Sequence, residues 1–158
     1  MVLNIIYEAL YLIFPAYCAN SIPVILGGGP AIDGGRRFID DKPILGPRKT
    51  IRGFLAGIAV GTLIGLIQGQ LFLGFLLSLG ALVGDLLESF IKRRLDIVSG
   101  ASFPIADQLD FVFGALLFSL PVFPIPIHII FTIILITPPL HLTTNVVAYL
   151  LGIKKEPW

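Results

Sequence analysis

The apolar positions of this chain run in long blocks, not in the alternation of a half-buried strand or the stripe of a surface helix. A bilayer-spanning helix needs roughly 17–25 mostly apolar residues. Five blocks qualify: about Val2 to Leu26, Ile51 to Ile67, Leu71 to Phe90, Ile105 to Pro121 and Ile127 to Ile153. Glu8, Pro15, Asn20 and Pro23 interrupt the first block, and Pro138-Pro139 break the last. The pattern predicts an all-α integral membrane protein with about five transmembrane helices. The first block reads as a span and not as a signal peptide, because it lacks a basic leader and its apolar run is long and interrupted.

The polar positions sharpen this picture. Every Lys and Arg falls in one of three stretches. Arg36, Arg37, Lys42, Arg48, Lys49 and Arg52 lie between or beside the first two blocks; Lys92, Arg93 and Arg94 follow the third; Lys154 and Lys155 follow the fifth. With five spans all three stretches fall on one side, whereas four or six spans would scatter them. The turns on the other side, Gln68-Gly69-Gln70 and Pro121 to Pro126, carry no charge. The positive-inside rule then predicts an external N-terminus and a cytoplasmic C-terminus. The expectation is a multi-pass cell-membrane protein, a single embedded domain over residues 1–158, with cytoplasmic loops at about 27–50 and 91–104.

Composition agrees and excludes several classes. The chain is 56% hydrophobic and only 13% charged, about half the charge of an average soluble domain. A net charge of +1 argues against a nucleic-acid partner. One cysteine, Cys18, rules out an internal disulfide or a cysteine metal cluster. Gly53, Gly57, Gly61, Gly65 and Gly69 recur every fourth residue, close to one helical turn, and form a smooth face on the second helix. That face suits packing within the chain, with Gly80 and Gly84 as a candidate mate, or a homodimer.

Candidate chemistry gathers at the basic side. Asp85, Glu88 or Ser89, and Lys92 share one helical face by their three/four spacing. Asp85 lies about 10 Å along the helix from Lys92, so its carboxylate sits below the headgroups, at a cost unless it is paired. Arg93 or Arg52 is the expected structural partner. Asp107 and Asp110 share the first turns of the fourth helix, where Pro104 suits a start and the helix dipole favours acids. Helices three and four meet at the same loop, so Asp85, Asp107 and Asp110 can converge. Three carboxylates beside Lys92, Arg93 and Arg94 suit Mg²⁺ bound to phosphate, since Mg²⁺ takes few protein carboxylates and fills its shell with phosphate oxygens and water. The glycine-rich run Gly27 to Phe38 lets the backbone turn tightly, but it lacks the ending of a Walker A loop.

Ser89-Phe90-Ile91-Lys92-Arg93, followed by Asp107-Gln108-Leu109-Asp110, resembles the two-part signature of the CTP:phosphatidate cytidylyltransferases. Pro47-Arg48-Lys49-Thr50-Ile51-Arg52-Gly53 is similar to a basic element of that family. The short five-span form, and the run from Asn20 through Asp33 to Gly53, resemble its archaeal branch most. The interval Leu95 to Ala106 lacks the Lys-Asp pair and His-Gly-Gly of the bacterial signature, and Gln108 stands where that signature has Arg. The resemblance implies transfer of CMP from CTP to an unsaturated archaeol phosphate bearing geranylgeranyl ethers, giving a CDP-activated lipid and pyrophosphate for phospholipid synthesis. It implies Lys49, Thr50, Arg52, Ser89, Lys92 and Arg93 at the substrate, Lys92, Arg93 and Asp110 in catalysis, and Asp85, Asp107 and Asp110 on Mg²⁺.

The chemistry fits this residue set. A lipid phosphate is already ionised near neutral pH and needs no strong base; the barrier comes from gathering negative charge, which cations and metal relieve. His128 falls on the uncharged side, and His141 reads as a packing residue. Thr143, Thr144 and Asn145 read as caps of a broken helix. A polyisoprenol kinase remains an alternative. A CDP-alcohol phosphotransferase would need an acid motif that is missing. A small transporter would place paired charges at mid-bilayer, where this chain has none.

Overall fold

The computed structural model describes residues 2–99, 101, 103, 105–153 and 156. Pro104, Lys154 and Lys155 lie outside the described residues. The chain folds into α1 (Val2–Leu26), α2 (Ile51–Ile67), α3 (Leu71–Arg94), α4 (Ala106–Ser119) and α5 (Ile127–Leu150). Three of these, α1, α3 and α5, are long and apolar enough to cross a membrane. The other two are shorter, α2 with 17 residues and α4 with 14.

Neither pair of prolines breaks its helix: α1 runs through Pro15 and Pro23, and α5 through Pro138 and Pro139. A proline removes an N–H and frees the carbonyl four residues back. For Pro15 that carbonyl belongs to Tyr11, and Gln68 Nε2 from the α2–α3 turn donates to it at 2.7 Å. Surrogate donors of this kind let a membrane helix keep a proline. The expected caps in α5 are also corrected. Thr143 and Thr144 donate to Pro139 O and His141 O of the same unbroken helix, at 2.7 and 2.9 Å.

The glycine face of α2 is buried within the chain. Gly53, Gly57, Gly61 and Gly65 are all buried. A Cβ on Gly57 would stand 2.6 Å from Ala19 O, and one on Gly61 2.7 Å from Pro15 O while striking Ser78 Oγ. A Cβ on Gly65 would stand 2.5 Å from Gly74 Cα. The stripe therefore seats α1 on one flank and α3 on the other, which leaves no glycine face of α2 for a homodimer. The mates also differ from expectation. α3 meets α2 through Gly74, Ser78 and Leu82, whereas Gly80 and Gly84 face Gly114, Ala115 and the backbone of Asp110 on α4. The reason is angular: 74, 78 and 82 form one line of small or slim residues and 80 and 84 another, so α3 carries two close-packing seams.

The core joins Ala9, Ile13 and Ala16 of α1 to Leu77 and Ala81 of α3, Phe111 and Val112 of α4, and Ile129 and Ile133 of α5. The α1–α2 and α3–α4 loops meet at one end of this bundle: Lys42 reaches Asp96 at 2.7 Å and Arg94 reaches Asp40 at 3.0 Å. Two of the three basic stretches thus share an end.

Candidate active site

The α1–α2 loop is folded around two carboxylate and hydroxyl hubs. Asp33 Oδ2 accepts the backbone N–H of Leu45 at 2.8 Å and of Gly46 at 3.0 Å, and Oδ1 accepts that of Gly35 at 2.9 Å. Burial pushes the Asp33 carboxyl up, but the Gly46, Leu45 and Gly35 donors outweigh it and hold the group below its ordinary value. Ile32 N donates to Lys49 O at 2.8 Å, and Ala31 bridges Thr50. Thr50 then caps α2: its Oγ1 accepts Gly53 N and Gly28 N, each at 3.2 Å. These bonds fix where Lys49 leaves the loop.

Lys49 points at α3. Its Nζ donates to Asp85 Oδ1 at 2.7 Å and Oδ2 at 2.6 Å. The partner of Asp85 is therefore neither Arg93 nor Arg52; Arg52 is exposed at the first turn of α2. Two turns further along α3, Lys92 Nζ stands 2.9 Å from Glu88 Oε1, pairs with Asp107 of α4, and donates to Ala101 O at 3.3 Å. The Glu88 and Asp107 carboxyls also stand within hydrogen-bonding reach of each other. Asp107 Oδ2 accepts Phe103 N at 2.9 Å, which ties the α3–α4 loop to the first turn of α4. Asp110 Oδ1 accepts Phe111 N at 2.6 Å, and Asp85 and Glu88 lie within electrostatic reach of it.

The structure thus brings Asp85, Glu88, Asp107 and Asp110 together with Lys49 and Lys92. Ser89 and Arg93 are buried beside them. Lys92 and Arg93 do not occupy the solvated helix end that the sequence suggests: they are 8% and 9% exposed. The docked loops cover them. Glu88 Oε1 and Asp107 Oδ1 are both buried and both held by the single Lys92 ammonium, while Arg93 Nε is buried without a hydrogen-bond partner. Glu88, expected only to share a helical face with Asp85 and Lys92, is buried and paired with Lys92. Asp33 carries no role in the sequence reading, and Arg94 enters it only as one of three cations beside the carboxylates. The signal for Asp33 was present, an acid between glycine pairs in a turn-rich stretch.

His141 lies against the Phe111 ring, centroids 6.0 Å apart, and Asn145 Nδ2 stands 3.1 Å from its Nδ1.

A membrane-type helical bundle that gathers acids and bases under two docked loops is built like an intramembrane enzyme, not like a pore. The comparisons with known proteins specify which. A family model for CDP-archaeol synthase matches residues 2–158. The CDP-archaeol synthase of Pyrococcus furiosus is 48% identical over 97% of this chain and 98% of its own. That of Methanocaldococcus jannaschii is 45% identical over all of both chains. A solved structure of an intramembrane enzyme for archaeal membrane lipids biosynthesis superposes with a TM-score of 0.82 at 38% identity, covering 89% of this chain and 94% of that one. The chain belongs to the CDP-archaeol synthase family. Membership makes it a membrane enzyme of lipid biosynthesis, a transferase.

Proposed function

We propose that the chain transfers CMP from CTP to an unsaturated archaeol phosphate at the acid–base cluster, releasing pyrophosphate and a CDP-activated lipid. One observation carries the site: the two halves of the signature, separated in sequence, meet through Lys92, which touches Glu88 on α3 and Asp107 on α4. An oxygen of the lipid phosphate attacks the α-phosphorus of CTP. A new P–O bond forms, the bond from the α-phosphorus to the bridging oxygen breaks, and pyrophosphate leaves.

The residues fit Mg²⁺. Among the described residues no three His, Cys, Asp or Glu are gathered closely enough to hold an ion alone. Mg²⁺ rarely asks for that, because phosphate oxygens and water complete its shell. Glu88 and Asp107 put buried carboxylate oxygens side by side with one shared ammonium between them, a set of hard oxygen donors that suits a hard cation. Asp85, Asp107 and Asp110 would hold the ion, which would neutralise triphosphate charge. Lys49 and Lys92, paired with Asp85 and Asp107, would turn to the phosphates when nucleotide binds. Arg93 and Arg52 would add positive charge at the leaving group and the entrance. The Thr50 hydroxyl, already accepting two N–H groups, still has its proton to donate.

In this reading the helices cross the bilayer five times, with the N-terminus outside and the loops at 27–50 and 91–104 in the cytoplasm, where CTP is. Cysteine labelling at Lys154 from outside intact cells would overturn that orientation. The reaction is tested with CTP labelled at the α-phosphate: label should enter lipid only when lipid phosphate and Mg²⁺ are present, and EDTA should stop it. A kinase would move label from the γ-phosphate instead, and a transporter would release no pyrophosphate.

A further inference from the structure

We infer that Arg94, which lies outside the signature, is a positioning residue for the reaction: it latches the α1–α2 loop to the end of α3 and so keeps Lys49 at Asp85. The inference rests on the reading of Asp85 as part of the metal and phosphate site.

The loop is held to α3 at two places. The inner hold is Lys49 on both oxygens of Asp85, at 2.7 and 2.6 Å. If Asp85 is to serve a metal, that pair must open when substrate arrives. The inner hold is therefore lost at the moment the loop must stay still.

The outer hold does not share this weakness. Arg94 Nε stands 3.0 Å from Asp40 Oδ2, and its Nη2 donates to Pro43 O at 2.5 Å. The guanidinium centre lies 5.1 Å from the Phe38 ring and 4.7 Å from the Phe90 ring, and the two rings meet edge to face at 5.3 Å. Lys42 Nζ adds a bond to Arg94 O at 3.1 Å and reaches Asp96 at 2.7 Å. A planar, always-charged fork is the one side chain that can meet a carboxylate, a carbonyl and two aromatic faces together. Lysine could keep the charge but not the fork.

The latch is wired to the chemistry by short bonds. Pro43 bridges Arg37, and Ile44 N donates to Arg36 O at 3.2 Å. Asp33 gathers Leu45 and Gly46, and Ile32 N then holds Lys49 O at 2.8 Å. Releasing Arg94 would let this unit drift from α3. A drift of even an ångström at a charge-positioning group is costly in rate.

The test uses the full-length enzyme in detergent or nanodiscs. Arg94→Met removes the fork and the charge while keeping the length. The expected result is a KM for CTP raised on the order of tenfold, with a smaller change in kcat. Amide hydrogen exchange at Leu45 and Gly46 should speed up while the core of α3 stays protected. Arg94→Lys should fall between Arg94→Met and wild type. If Arg94→Met does not fold, Asp40→Asn on the partly exposed loop serves instead, with the same two readouts and smaller effects. An unchanged KM overturns the proposal, and so does unchanged exchange in the loop. Equal losses of protection in loop and α3 would make Arg94 a structural residue only and would also overturn it. Failure of the underlying site reading looks different: Asp85→Asn would keep full turnover, whatever Arg94→Met does to loop exchange.

Discussion

From Leu71 to Gly84, α3 shows its neighbours glycine, serine and slim aliphatic side chains, and its backbone comes within reach of α2 and α4. From Asp85 to Arg94 the same helix shows acids and bases, and these meet charged groups of the α1–α2 loop and of the first turn of α4. The first half is specified by volume: a single added carbon at Gly80 or Gly84 would meet the α4 backbone. The second half is specified by charge: its side chains are long and adaptable, but each buried carboxylate has a cation beside it. Gly84 and Asp85 are adjacent, so the border between the two regimes is one peptide bond wide. Close packing at Gly84 sets where the Asp110 backbone sits, and that backbone carries a carboxyl into the charged half.

The largest expected effect tests the charged half alone. Asp107→Asn keeps shape and leaves Lys92 its Glu88 partner, so the protein should fold normally while CTP-dependent pyrophosphate release falls by about 10²–10³. Full activity in both Asp107→Asn and Asp110→Asn would remove the charged half from the chemistry. Next comes Lys92→Met, which sharpens the comparison because the burial of Lys92 makes it structural as well. Removing the cation leaves Glu88 and Asp107 facing each other, and denaturation should show a loss of about 3–5 kcal/mol alongside lost activity. Unchanged stability would mean the pair is solvated and the loops open.

Gly84→Val attacks the border. Overpacking against the Asp110 backbone should cost about 1–3 kcal/mol, read as a lower Tm in detergent, and should also lower kcat because Asp110 is displaced. A lower Tm with normal kcat would separate packing from chemistry and break the comparison. The smallest effect concerns the loop. The folded Asp33 carboxyl sits below its ordinary value, so its bonds contribute stability at neutral pH and above the ordinary carboxylate pKa of about 3.9. That contribution is lost as pH falls through the lower folded value. Exchange of the Leu45 and Gly46 amides should therefore accelerate in acid, and Asp33→Asn should abolish that dependence.

The helices were legible because bilayer physics demands long apolar runs, and six of the helix boundaries, both ends of α1 and α2 and the starts of α3 and α5, needed no packing information. Asp107 and Asp110 were legible for a similar reason: acids beside a membrane are expensive and stand out. Partner choice was not. Nothing local distinguishes Lys49 from Arg52 as the mate of Asp85; the choice follows from Asp33 and Thr50 folding the loop so that Lys49 faces α3. The two seams of α3 were hidden because Ser78 and Leu82 do not announce themselves beside the glycines. The prolines misled because a sequence shows the donor a proline removes but not Gln68, 57 positions along the chain from Tyr11, which replaces it.

The shortness of α4 has a consequence for how a greasy substrate is handled. Fourteen residues rise about 21 Å, well under the ~30 Å hydrocarbon thickness. In the proposed five-span orientation such a helix would leave a dimple in the membrane surface, with the acids of its first turns on the floor. Hoisting an isoprenoid anchor towards water would cost about 0.8 kcal/mol for each methylene exposed, so even a climb of a few carbons would burden every turnover. A sunken floor would reverse the traffic: the water-soluble triphosphate would descend, and the lipid would stay at its own depth.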